Sequence, residues 1–373
     1  MNRTKLSSWL LLACGLWFAH GAVAQAQFPE REFPLSDHKN ISVDLGEFTS
    51  GGPPKDGIPS VDKPVFVDTA TAGKWIKKVE PVIALKMGDD ARAYPLQIMM
   101  YHEIVNDVVD GKPVAVTFCP LCNASIVFDR TVNGTVLDFG TTGRLRLSDL
   151  VMYDRQTESW WQQFNGVGLL GEYNEVKLEQ INSQIVSFAD FVSAFPDGKV
   201  LSRDTGYQRS YGRNPYTGYD NINNNPFLFF GEHDKRLPPM ERVLSIGVNE
   251  ETVLVPVTPL NDNPVLNISI EQEPIAVFAA STATSALDRS SIAKSRLIPA
   301  AAAFSRQVGE ATLTFSLQDG TIVDQQTGSR WNAFGLATEG DLKGAQLEQR
   351  DRGVHFAFAW LAFDPDADIM AIK

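Results

Sequence analysis

The sequence predicts an α+β, predominantly β protein made of two tandem, pseudo-symmetric β-rich units with short helices. Three observations carry this. From Pro81 onward, short β-branched and aromatic runs alternate with Gly, Asn and Asp turns. One good helical stretch, Phe188–Phe195, is closed by Pro196 and Gly198. The chain also repeats itself. Val82-Ile83-Ala84-Leu85 matches Val243-Leu244-Ser245-Ile246, and Pro113-Val114-Ala115-Val116 matches Pro274-Ile275-Ala276-Val277, both at an offset of 161. Asp154–Trp161 matches Asp324–Trp331 at 170, and Val186, Phe188, Ala194 and Phe195 match Val354, Phe356, Ala362 and Phe363 at 168. The order is kept throughout, which points to an internal duplication. Two copies are too few for a solenoid, so a pair sharing an interface is expected.

Residues 1–24 read as a secretory signal, with Arg3 and Lys5 before an apolar run and an Ala-x-Ala cleavage site after it. A competing reading makes Leu11–Cys14 a lipoprotein signal with a lipid anchor at Cys14; the apolar residues after Cys14 weigh against it. Either way export to the periplasm or the exterior is expected. No later run is apolar enough for a transmembrane span. Loss of Arg3 and Lys5 with the signal takes the net charge from −12 to −14, which argues against nucleic acid as a partner.

Residues 25–80 contain few regular runs and read as a wrapping segment. Within it Gly51–Pro59 is rich in turn formers, and Asp56 is its candidate ligand-binding group. Unit 1 spans 81–200. Val82–Met87 and Ala91–Tyr94 form a hairpin, and Pro95 can start a short helix through Met100. Ala124–Arg130 and Thr135–Phe139 flank Asn133-Gly134, a second hairpin signal. Leu150–Asp154 and Trp160–Phe164 flank a polar turn. Residues 201–240 form a connector in which Arg203, Arg209 and Arg213 lie among four tyrosines, and Arg213 is a candidate anion or ring ligand. Unit 2 spans 241–373.

The chemistry centres on His102–Cys122. Asp110-Gly111 between two β-rich runs predicts a two-residue type I′ turn, which puts Val109 opposite Lys112 and Ile104 opposite Thr117. Continued outward, this register sets His102 opposite Cys119, with Cβ atoms about 5 Å apart. At the 161 offset His102, Cys119 and Cys122 fall on Asn263, Ala280 and Ala283, so the unit folds without thiols or imidazole. That contrast makes Cys119, Cys122 and His102 the candidate catalytic or metal-ligating residues. Three readings stay open: a structural disulfide, a thiol–disulfide redox pair, and a site for Zn or Cu. Glu103 or His233 could complete a metal set, although the register turns Glu103 to the other face. Asn106 shares the His102 face. Arg144, beside Gly140–Gly143, is a candidate anion ligand. A small molecule, a metal or a thiol is the expected partner. The rival class is a non-catalytic exported binding or structural protein in which the Cys-Pro-Leu-Cys is a disulfide.

With these residues in view, the chain resembles a bacterial family of exported, uncharacterised proteins, domain of unknown function 3179. Gly51–Pro59, Ala93–Asp107, Cys119–Cys122, Asp149–Gln163 and Tyr211–Tyr219 carry the resemblance. Glu158 stands where the family's Gly is expected in Thr-Gly-Ser-x-Trp. The resemblance implies export and a Cys-Pro-x-Cys site, and it supplies no substrate.

Overall fold

The computed structural model describes residues 28–249 and 251–372. The signal sequence and Cys14 lie outside the described residues. Strand dominates, at 41% against 10% helix, and the helices are short.

The first half holds three main sheets and one two-stranded hairpin among the described residues. Pro81–Met87 and Asp90–Pro95 form the expected hairpin, flanked by Gln184–Ser187 and by Lys199–Leu201, which runs parallel to Asp90–Pro95. Ile104–Val109, Lys112–Cys119 and Ala124–Asp129 form a meander. Its first turn is the predicted one: Asp110 and Gly111 have φ of 47° and 77°, as a type I′ turn requires. The third sheet pairs Phe139–Arg146 with Asp149–Asp154 and continues through Trp160–Gln162. Here the expectation for Asn133-Gly134 needs correcting. That turn closes only the small Thr131–Val132/Thr135–Val136 hairpin, because Phe139 starts a strand that pairs forward with Asp154.

Strand pairs in the second half keep matching registers. Ile83↔Tyr94 has its counterpart in Leu244↔Val255, and Ile104↔Thr117 in Val265↔Phe278. The Asp154 turn and the Asp324 turn also carry the same bonds. Asp154 accepts from Thr157 N and Trp161 Nε1 at 2.7 and 2.9 Å; Asp324 accepts from Thr327 N and Trp331 Nε1 at 2.6 and 3.0 Å. Phe188–Ala194 and Ala357–Phe363 are helices, each following a strand.

The largest apolar core draws on both halves, joining Phe118, Phe128, Phe139 and Trp161 to Val243, Phe356 and Leu361. The connector is fastened to the second half by Asp220, fully buried, which pairs with Arg242 at 2.9 Å and Arg296 at 2.7 Å and accepts from Ser285.

Candidate functional site: a buried thiol–carboxylate cluster

Cys119 ends its strand opposite Ala124, and Pro120–Asn123 make the turn into the next strand. The turn is tight: Asn123 has φ of 51°, and its amide donates to Val354 O at 3.0 Å across to the second half. Phe356 N–H donates to Cys122 O at 2.9 Å. These bonds fix the loop that carries both sulfurs. No helix begins there, so the thiols lack the helix N-terminus that activates thioredoxin-like sites. Both cysteines are free thiols.

The third member is Asp149. One ligand atom each from Cys119, Cys122 and Asp149 lie within 4.8 Å of one another, all three residues buried. Asp149 opens its strand directly after Leu147 and Ser148, whose φ values of 53° and 66° are left-handed. Non-glycine residues adopt that region at an energetic cost, and here it turns the carboxyl inward. Gln162 Nε2 and Phe164 N–H donate to Asp149 Oδ2 at 2.7 and 2.9 Å, whereas Oδ1 has no hydrogen-bond partner.

Glu103 stands close enough for the Asp149 charge to act on its carboxyl, and for its own charge to act on Cys119. Burial first, and then the Asp149 charge, push the Glu103 carboxyl up to about 8. Burial likewise lifts Asp149 to about 7, and lifts Cys119 and, further, Cys122 above the ordinary thiol range. Burial, not a charge, is the leading cause for all four. The connector closes the site. Tyr219 donates to Leu121 O at 3.0 Å, and Ser148 donates to Phe227 O at 2.5 Å. The Tyr216 phenol is pushed up by burial and then by Glu103 and Cys119.

His102 is not where the hairpin register was expected to put it. The Leu96–His102 helix runs two residues past Met100, Glu103 turns at φ 58°, and strand pairing begins only at Ile104. The helix carries His102 away from Cys119 and swings Glu103 toward it. His102 Nδ1 lies 2.7 Å from Pro59 O, and Nε2 lies 2.6 Å from the Tyr211 hydroxyl. A carbonyl only accepts, so Nδ1 carries the proton, Nε2 accepts from Tyr211, and Thr205 donates to Tyr211. Burial holds the imidazole below its usual range.

The remaining candidates are spread out. Asp56 pairs with Arg155 at 3.0 Å and accepts from Tyr153. Asn106 clamps both the N–H and the C=O of Phe139. Arg144 lies within a bulged strand and faces Glu32 at 3.4 Å. Arg213 gives its carbonyl to Tyr101 at 3.0 Å. His233 packs against Phe229 in the connector. None of them belongs to the thiol cluster as the structure groups it.

A family model described as "Protein of unknown function (DUF3179)" matches residues 55–367, which takes in every member of the cluster. The chain belongs to this family. No curated protein and no solved structure matches it. For DUF3179, then, the site must be read from its own geometry. Glu103 is legible as a possible metal ligand but the hairpin register turns it to the wrong face, and Asp149 escapes the sequence. Glu103 had one usable signal, since at the 161 offset it falls on Pro264. Asp149 had none, because its contact with the thiols joins two different sheets.

Proposed function

We propose that this DUF3179 chain is an exported metal-binding protein whose site is Cys119, Cys122 and Asp149, with Glu103 as the fourth ligand or as the group beside an open position. The observation that carries the reading is Asp149 Oδ1, a buried carboxyl oxygen without a hydrogen-bond partner on a residue whose carboxyl lies within 4.8 Å of both thiols. Buried acidic groups packed this closely, with Glu103 acting on Cys119, are costly to ionise unless they share a metal. Around a tetrahedral Zn²⁺, ligand atoms stand about 3.3–3.8 Å apart, so this set needs only a small contraction. Two thiolates with carboxylate oxygen suit Zn²⁺ better than Cu⁺, which prefers sulfur and nitrogen donors. Binding would take the protons from the thiols, and the ion's charge would offset the crowding. His102 serves in this reading as a positioning residue, holding the turn that presents Glu103.

Redox exchange is the weaker reading of the same residues. Burial raises both thiols, which disfavours the attacking thiolate, and no helix N-terminus opposes that. The halves 81–200 and 241–373, joined by 201–240, are on this account products of one duplication, supported by the shared registers and the twin Asp154 and Asp324 turns. The test of the metal site is Co²⁺ titration of metal-free protein. A thiolate-to-Co²⁺ absorption band is expected in the wild type and should be absent in Cys119→Ser; a wild type without that band overturns the proposal.

A further inference from the structure

Two clefts lie where the halves meet. One, of about 510 Å³, has Phe164 stacked on Phe363 at 4.7 Å as its floor, with Trp360 beside them. The other, of about 220 Å³, has Phe334 against Phe195 at 4.9 Å. Their walls correspond at the offsets that relate the halves. Phe164 and Phe334 are 170 apart, Phe195 and Phe363 are 168 apart, and Gln184 and Arg352 are 168 apart. The smaller cleft therefore serves as an internal control for the larger.

The charges differ between the two. The smaller cleft carries one charged residue, Lys86, beside the amides of Gln184 and Gln346; at the positions of those amides the larger carries Arg352 and Lys177, with Glu179 and Asp364 beside them. These two cations and Asp364, also on its rim, have no ion-pair partner among the described residues; Glu179, the remaining charge, lies a loose 3.8 Å from Lys112. Behind the floor, His355 is fully buried between Phe164 and Trp360, with ring centroids at 5.1 and 5.2 Å, and neither ring nitrogen has a partner. Trp360 Nε1 is unpartnered as well. The matching residues 168 positions earlier are Ser187, which caps a helix by accepting from Asp190 N, and Val192. Each unmet buried polar group costs about 1–3 kcal/mol, so these changes do not serve stability.

We infer that the larger cleft binds a small aromatic zwitterion. Its ring would lie on the Phe164–Phe363–Trp360 surface. Its carboxylate would meet Arg352 and Lys177, and its ammonium group Asp364. A rim with both signs in balance favours neither a simple anion nor a simple cation. The inference is independent of the metal reading, although the cleft backs onto the cluster through Phe164, whose N–H holds Asp149.

The experiment is isothermal titration of the mature chain with phenylalanine, 3-phenylpropanoate and 2-phenylethylamine, the last two each lacking one charge. Saturable binding of phenylalanine is expected, with each analogue at least about tenfold weaker, a difference of one decade in Kd. Arg352→Ala and Asp364→Asn, both changes at the cleft rim, should each weaken phenylalanine about tenfold. Gln184→Ala in the smaller cleft should leave it unchanged. The inference is overturned by no saturable heat up to about 10 mM, well above a millimolar Kd, or by binding that Arg352→Ala and Asp364→Asn do not alter.

Discussion

Gln162 Nε2 donates to Asp149 Oδ2 at 2.7 Å, and this bond from the adjoining strand leaves Oδ1 free to face the sulfurs. Gln162 is fully buried and touches neither thiol's ligand role, so it acts through Asp149. Outer partners of a metal ligand typically contribute 10–100-fold in affinity. Gln162→Leu should therefore weaken metal binding by about that factor, as read by competition with a chromophoric chelator. An unchanged affinity would place Asp149 outside the ligand set.

His102 should behave as a structural residue with respect to metal content. Its ring satisfies the buried Pro59 O and the half-buried Tyr211 hydroxyl. His102→Ala is expected to cost about 1–3 kcal/mol in urea unfolding, while metal stoichiometry per folded chain stays at the wild-type value. Complete loss of metal from folded His102→Ala would return the imidazole to the site.

The twin turns give a paired test of the duplication. Asp154 and Asp324 are each fully buried and each hold a Thr N–H, a Thr hydroxyl and a Trp N–H. Asp154→Ala and Asp324→Ala should each destabilise by about 3 kcal/mol or more, since charge-assisted bonds contribute about 1.5–3 kcal/mol apiece. Neither should change metal content.

Acid stability has a sign that His355 sets. Burial lowers its pKa from 6.5 to about 3 in the folded state. The unfolded chain therefore takes up this proton first, and stability present above the unfolded value is lost as pH falls from 6.5 toward 3, with a slope of about 1.4 kcal/mol per pH unit. Asp351 works in the opposite direction. Burial raises it from 3.8 to about 6, so its contribution is full below 3.8 and is lost as pH rises through 6. Comparing wild type with His355→Leu cancels Asp351. The variant should unfold at higher urea than wild type at pH 5, with a gap that widens toward pH 4; a constant gap would contradict the assignment.

The sequence was most informative where a local rule acts on adjacent residues. Asp110-Gly111 sets its hairpin register correctly from Val109 to Ile104, because the turn geometry alone dictates it. The rule stops where a different one takes over. Pro95 nucleates a helix, the helix continues through His102, and the left-handed turn at Glu103 decides which side chain reaches the thiols. The Asp-x-x-Thr-x-Ser-x-Trp turn is likewise readable, since its side chains bond within a few residues. Asp149 is not, because its strand and the Cys119 strand belong to different sheets and meet only in the packed core.

The most direct measurement is elemental analysis of protein purified from its native compartment without chelator, with the thiols trapped at lysis. The account predicts about one equivalent of a zinc-like divalent metal per chain, as one Cys-Cys-Asp site holds one ion, with loss of that metal in folded Asp149→Asn and in Cys119→Ser. Metal-free wild type with Cys119 joined to Cys122 as a disulfide, or full metal retained in both variants, would contradict it.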